Sequence, residues 1–355
     1  MNNPAWLIAG HCIVSEAADI GFDTSLFALR ASSNDCAMNV EALKAAVGSG
    51  RQLETPSASS GRLKIAVGVA TAGRREILGV ALDLIARQSR PPDILVVCPA
   101  AADDLEAGLI EQFPFPTVVR IGKRGLTAQR NNILSAARDA DIIVFFDDDY
   151  FPRLDYLEEV ERIFLGNADV VALTGRPIQD GASGPGVGAE NALGLIATDV
   201  QVPAARALAS TYGTYGCNMS FRMEPIRQHG VVFDENLPLY GWQEDIDFSR
   251  QLAPFGRIVD ANVLRGVHLG AKGGRTSGAR FGYSQIANPV YLIRKGTMSL
   301  GFAAPLMWRN VLANAGNSVR PEPWIDRRGR LWGNLLALWD LVTGRISPHR
   351  ILELT

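Results

Sequence analysis

Between residues 63 and 173 the sequence alternates short runs of β-branched and aromatic residues with longer segments that repeat apolar residues at helical spacing, and few folds accommodate that alternation. Residues 63–70, 93–98, 117–121, 141–146 and 169–173 read as strands. Residues 74–88 place Ile77, Leu78, Ala81, Leu82 and Ile85 on one helical face, and residues 103–112, 126–138 and 154–165 read as further helices. A strand–helix repeat predicts an α/β fold with a mostly parallel central sheet flanked by helices on both faces. The first turn, Ala70-Thr71-Ala72-Gly73-Arg74, lacks both G-x-G-x-x-G and G-x-x-x-x-G-K-[ST], so neither an ordinary dinucleotide fold nor a P-loop is indicated.

Within this rhythm one strand is unusual. Ile142-Ile143-Val144-Phe145-Phe146 is apolar throughout, as suits a strand covered on both faces, and it stops at Asp147-Asp148-Asp149. Packing gives no reason to set three mutually repelling carboxylates at the end of a buried strand. A hard divalent cation does, because Mg²⁺ or Mn²⁺ takes carboxylate oxygens and can bridge them to a substrate phosphate. In open α/β sheets ligands gather beyond the carboxyl ends of the strands.

Composition narrows the class. The chain has 355 residues and a formal net charge of −2, which gives no reason to expect a nucleic-acid partner. Cys12, Cys36, Cys98 and Cys217 have no C-x-x-C spacing, which fits a reducing, cytoplasmic setting better than a disulfide framework or a zinc cluster. The apolar patch at residues 6–9 has no basic stretch before it, so no secretory signal is expected. No apolar run reaches the roughly 18–20 residues that span a bilayer.

Three regions follow: 1–61 as an N-terminal extension without visible chemistry, 62–282 as the α/β domain that carries the acidic triplet, and 283–355 as a helical C-terminal extension. In the first, residues 12–14 and 25–29 read as strands, 40–47 as a helix and 48–61 as a linker. Residues 175–205, rich in glycine, read as a mobile lid or acceptor-binding insertion. Residues 215–222 read as a strand-like unit, 243–252 as a helix and 258–268 as a strand pair. In the tail, Trp308, Trp324, Trp332 and Trp339 mix with arginines beside an apolar stripe of Leu331, Leu335, Leu338 and Val342. That pattern suits either a helix lying in a membrane interface or one packed on the α/β domain.

Five pieces in this order resemble the family 2 glycosyltransferases, inverting enzymes of the GT-A fold: Val69-Ala70-Thr71-Ala72-Gly73-Arg74, Leu126-Thr127-Ala128-Gln129-Arg130-Asn131, Phe146-Asp147-Asp148-Asp149, Gly216-Cys217-Asn218-Met219-Ser220-Phe221-Arg222 and Trp242-Gln243-Glu244-Asp245. The resemblance covers Lys64 to about Gly274. It implies a hexosyltransferase acting on a nucleotide-diphosphate sugar, with a UDP-sugar expected, and Mg²⁺ or Mn²⁺ as cofactor. It implies Asp149 as metal ligand with Asp147 and His268 beside it, and Asp147 or Asp148 at the donor's sugar or ribose. Thr71, Arg74, Asp103 and Arg130 are then expected at the donor, with Asp103 at the uracil. Asp245 is expected as the base that deprotonates the acceptor hydroxyl, Glu244 as its helper, and Trp242 and Asn218 at the acceptor. The tail resembles that of bacterial transferases building exopolysaccharide or cell-envelope glycans on polyprenyl-diphosphate lipids, which implies a glycan or glycolipid acceptor and peripheral contact with the cytoplasmic face of the inner membrane.

Three competing readings frame this one. A phosphohydrolase with D-x-D-x-[TV] would carry that motif on its first core strand, whereas Asp147 ends a later one and Phe151 fills the last position. A nucleotidyltransferase would need a Gly-rich basic loop after the first strand. A non-catalytic carbohydrate-binding or scaffold protein would not need the Asp triplet together with Asp245.

Overall fold

A computed structural model of the chain describes residues 61–199, 207–273 and 276–354. The strands, helix and linker expected before residue 61 lie outside the described residues. The described chain runs β1 (Ile65–Thr71), α1 (Arg75–Ala86), β2 (Ile94–Pro99), β3 (Thr117–Val119), α2 (Leu126–Ala136), β4 (Ile142–Asp147), β5 (Tyr150–Pro152), α3 (Tyr156–Gly166), β6 (Val170–Gly175), β7 (Gln179–Asp180) and α4 (Ala189–Thr198). It continues through β8 (Leu208–Ser210), β9 (Asn218–Arg222), α5 (Met223–His229), α6 (Glu244–Leu252), β10 (Arg257–Ala261), β11 (Gly266–His268), α7 (Gly278–Lys295), α8 (Leu300–Asn317) and α9 (Arg327–Val342).

The main sheet has the order β3-β2-β1-β4-β9-β6-β10-β8. It is parallel from β3 to β4, while β9 runs antiparallel between β4 and β6, and β8 runs antiparallel at the far edge. Alternation along the strands feeds two apolar layers. Val67, Val69, Val144 and Phe146 face Leu78, Leu82, Tyr156 and Val160 of α1 and α3. Ala66, Ile143 and Phe145 face Ile133, Met223, Ile226 and Phe248 of α2, α5 and α6. With both faces covered, the strands need no polar residues until they emerge at their carboxyl ends. Register sets Ala70 of β1 opposite Asp147 of β4, so the first turn and the acidic triplet emerge side by side.

A second, three-stranded sheet of order β5-β11-β7 sits beyond that edge. In it His268 pairs with Tyr150 on one side and Asp180 on the other. The chains can come this close because Gly270, left-handed at φ 63°, approaches the Gly181 carbonyl carbon so tightly that a Cβ on Gly270 would sit 2.1 Å from it.

Several expectations change. Residues 103–112 do not form one helix: they make two single 3-10 turns, Ala102–Asp104 and Ile110–Gln112, separated by Gly108 at φ 78°. Residues 175–205 are not simply a loop, since β7 and α4 lie within them. The pair expected over 258–268 is two strands in different sheets, β10 and β11. A division between 282 and 283 falls inside α7.

The helices α7 and α9 touch through glycine. A Cβ on Gly282 would lie 2.0 Å from the Arg330 carbonyl oxygen, and one on Gly333 2.1 Å from that of Ala279. Beside this contact Asn334 donates to the Gly282 carbonyl at 2.7 Å, and Asn314 of α8 donates to Asn334 Oδ1 at 2.8 Å and Gln285 Oε1 at 2.9 Å. Paired amides of this kind fix one register among apolar helices that could otherwise slide. Among the described residues no helix is long and apolar enough to cross a membrane.

Candidate active site

The site forms where β4 ends. Asp147, the last residue of β4, accepts from Arg130 Nη2 at 3.0 Å and is a quarter exposed, the most open of the triplet. Asp148 is buried and accepts from Thr71 Oγ1 at 2.7 Å and Arg74 Nη1 at 2.8 Å. Burial pushes its carboxyl up to about 6 against the pull of Arg74. Asp149 is buried too. Its Oδ2 accepts the Ala271 amide at 2.7 Å and lies 3.3 Å from Arg74 Nη1, while its Oδ1 is 3.5 Å from His268 Nε2. Burial alone would raise this carboxyl. The His268 charge, the Arg74 guanidinium and the Ala271 N–H together hold it well below the carboxylate range.

Facing Asp149, His268 has Nδ1 2.9 Å from Asp180 Oδ1 and 3.3 Å from the Tyr215 hydroxyl, which itself donates to Asp180 at 2.8 Å. Burial disfavours the imidazolium, but Asp149 and Asp180 push the ring up to about 10. One ligand atom each from Asp147, Asp149 and His268 lies within 4.8 Å of the others. Asp149 Oδ1 is buried and makes no hydrogen bond in the protein. Two carboxylates and an imidazole oriented by a carboxylate are a donor set that fits a divalent cation.

Arg130 ties this cluster to a second one. Its guanidinium is 2% exposed and donates through Nη1 to Glu244 Oε1 and through Nη2 to Asp147 and the Gly216 carbonyl, the last at 2.8 Å. The Phe145 and Phe233 rings lie 5.8 and 5.6 Å from it. Burial pushes Glu244 up to about 8, with Arg130 opposing and Asp245 reinforcing. Asp245 also rises by burial, while the Ile246 and Gly216 amides, at 2.8 and 3.0 Å from its two oxygens, and Arg130 counter that rise. One guanidinium thus serves three carboxylates that all sit in low dielectric.

The remaining expected residues divide. Trp242 packs edge-on against Phe281 at 5.0 Å, beside Tyr240, next to the acid pair. Asn218 is not at a surface: it is 0% exposed on β9, where Oδ1 accepts from Thr174 and Nδ2 donates to the Tyr150 hydroxyl, so its amide closes a core network and is unavailable to an acceptor. Asp103 is exposed on its 3-10 turn, and its neighbour Asp104 is the residue that reaches the first turn, accepting the Gly73 amide at 2.6 Å. The expectations missed Asp180 and Tyr215. No motif marks Asp180, which lies in a glycine-rich stretch 88 residues from His268.

Residues 66–230 match the family model described as glycosyl transferase family 2. Among solved structures, the S. aureus TarS fragment 1–349 is 15% identical, with 82% of this chain and 83% of that chain covered at a TM-score of 0.50. The same fragment in complex with UDP-GlcNAc is 15% identical over 82% and 84%, at a TM-score of 0.51. At such identity the likeness is one of fold. No curated protein matches the sequence at a significant level. The matched segment holds the first turn, α2 and the acidic triplet, and the fold is that of the GT-A glycosyltransferases.

Proposed function

We propose that this enzyme transfers a hexosyl group, with inversion at the anomeric carbon, from a UDP-sugar to a hydroxyl of a glycan carried on a polyprenyl-diphosphate lipid, in the synthesis of an exopolysaccharide or a cell-envelope polysaccharide. The observation that carries this reading is the join made by Arg130, which holds the Asp147 end of the acidic triplet and the Glu244–Asp245 pair in one site. A leaving-group site and a proton-acceptor site must lie that close for a single displacement. The TarS fragment of the same fold is in complex with UDP-GlcNAc, which supports a UDP-sugar donor.

Asp149, Asp147 and His268 would hold Mg²⁺ or Mn²⁺, and the bound ion supplies positive charge to the departing diphosphate. Thr71, Arg74 and Asp148 form the donor end of the site, and Asp147 presents an open oxygen to the sugar or ribose. Arg130, whose N–H groups go to Asp147, Glu244 and the Gly216 carbonyl, acts on the donor side through Asp147. Asp245 takes the acceptor hydroxyl's proton as that oxygen attacks the anomeric carbon on the face opposite the diphosphate. Glu244 orients the acceptor, and Trp242 offers it an aromatic face.

The catalytic domain spans 62–282, with α7 running across its end into the helical extension. On that extension Trp308, Trp332 and Trp339 are 64%, 62% and 61% exposed. Leu312, Leu335 and Val342 are exposed beside them, α8 contains no acidic residue, and Arg309 and Arg328 stand in solvent. Exposed indoles beside arginines suit an anionic membrane surface, where a lipid-linked acceptor is found. These features support a peripheral position on the cytoplasmic face of the inner membrane.

The test is Asp245→Asn. Loss of a general base is worth ~10²–10⁴-fold, so transfer should fall by about that factor while UDP-sugar affinity, read by calorimetry with Mn²⁺, stays unchanged. A variant that melts lower yet turns over normally overturns the assignment.

A further inference from the structure

Among the described residues only two other than glycine have positive φ, Leu239 at 59° and Gln243 at 73°, and Gly241 between them is at 64°. Every second residue from 239 to 243 is therefore left-handed, immediately before Glu244 and Asp245 open α6. Leucine and glutamine resist that conformation, so it persists only where the surroundings over-determine it. The same stretch carries buried polar atoms with no protein partner: Trp242 Nε1, Gln243 Oε1 and Glu244 Oε2. Left-handed residues at 239, 241 and 243 and unpaired polar atoms on 242–244, all within six residues, mark a segment held in shape from outside.

The holding comes from one face of α7. Asn288, 0% exposed, donates through Nδ2 to the Trp242 carbonyl at 2.8 Å, inside the left-handed run. One turn on, the Tyr291 hydroxyl donates to Asp234 Oδ2 at 2.8 Å, ahead of the run. Lys295 Nζ reaches Asp234 and Asp247, each at 2.7 Å, and Thr297 Oγ1, just past the helix, donates to Asp247 Oδ1 at 2.6 Å. Residues before, within and after the run are thus pinned to a single helix, one that follows the segment matched by the family model. From the other side the Leu126 amide, first of α2, donates to the Leu239 carbonyl at 2.9 Å.

We propose that α7 is a brace that sets the geometry of the Glu244–Asp245 pair, and that Asn288 is its positioning residue, acting on the pair through the Trp242 carbonyl. The proposal rests on the reading in which that pair serves the acceptor. Asn288 touches no reacting atom; it fixes where Asp245 stands relative to the anomeric carbon. A displacement of about 1 Å at such a group can cost ~100-fold in rate.

The test uses the full-length chain and Asn288→Asp, which keeps shape but turns a donor toward the Trp242 carbonyl into an acceptor. Activity is read as UDP release, with Mn²⁺, from whichever of UDP-GlcNAc, UDP-glucose and UDP-galactose the wild type turns over fastest. The expected result is a kcat lower by ~10- to 100-fold with UDP affinity unchanged. Amide hydrogen exchange should quicken over 239–247 and stay unchanged in β1 and β4. Adding Gln243→Gly, which adopts the left-handed conformation without strain, should restore part of kcat although the Asn288 bond remains lost. Full kcat in Asn288→Asp, beside an inactive Asp245→Asn, overturns the brace alone; full kcat in Asp245→Asn overturns the reading beneath it. If Asn288→Asp does not fold, Thr297→Val removes the bond at the other end of the brace, and unchanged exchange over 239–247 in that variant counts against the proposal.

Discussion

Replacing Arg130 by methionine keeps most of the side chain's volume and removes the one cation that Asp147 and Glu244 share. Three acceptors lose a donor: Asp147 Oδ1, Glu244 Oε1 and the Gly216 carbonyl. Removing one partner of a buried ion pair costs about 3–5 kcal/mol, because the other partner stays behind uncompensated. In a folded unit of this size ~1 kcal/mol shifts Tm by about 2–4 °C, so a fall of roughly 6–20 °C is expected at pH 7. The loss should also depend on pH. Glu244 has an ordinary value of 4.5 and stands at about 8 in the fold. A carboxyl raised on folding lowers stability as pH climbs from its unfolded value, and the decline stops once the folded group ionises. Wild type stops declining near pH 8; without Arg130 the carboxyl rises further and the variant goes on declining. The gap between the two should therefore widen above pH 8 by up to ~1.4 kcal/mol per pH unit. Denaturant melts at pH 6, 7, 8 and 9 read this directly, with Arg130→Lys as the variant that keeps charge and loses the fork. A gap that is constant from pH 6 to 9, or a methionine variant as stable as wild type, refutes the shared-cation account.

Two further outcomes are expected. Glu244→Gln, a neutral mimic of the protonated acid, should gain on wild type by roughly 2 kcal/mol or more between pH 5 and 8, since it lacks the titration that weakens the wild type over that window; equal slopes in urea melts would contradict the raised carboxyl. Trp332→Ala with Trp339→Ala, both on exposed positions of α9, should leave Tm and UDP-sugar turnover unchanged and reduce sedimentation with phosphatidylglycerol vesicles at least ~10-fold. Undiminished vesicle binding would remove this face from the membrane contact.

The main sheet was legible in the sequence because burial on both faces imposes unbroken apolar runs, and the acidic triplet stood out because nothing in packing calls for it. The brackets around the site were not legible. Asp180 meets His268 only because β7 and β11 pair in a second sheet, and two-residue β7 has no periodicity to detect. Asn218 lies in a motif whose neighbours face the site, yet β9 is central in its sheet and turns that side chain into the core, toward Thr174 and Tyr150. Between 103 and 112 the apolar spacing suits a helix, but the first turn stops at extended Leu105, Gly108 takes a left-handed φ before the second, and Asp104 rather than Asp103 faces Gly73. Left-handed residues at Leu239 and Gln243 leave no trace in composition, since neither residue type favours that conformation.

The helix α2 explains why two clusters so far apart in the chain act as one site. Its first amide holds Leu239, at the start of the strained run, and its first turn adds Thr127 Oγ1, which donates to the Leu237 carbonyl at 3.3 Å. One turn further, Arg130 reaches both Asp147 and Glu244. The acid pair therefore has its position fixed by the same helix that approaches the acidic triplet, and β1 and β2 supply the sheet against which that helix packs. Such an arrangement concentrates three carboxylates around one guanidinium, which costs stability at neutral pH. Burial, reinforced by Asp245, raises the Glu244 carboxyl, which lessens the negative charge gathered beside Arg130 and so limits that cost.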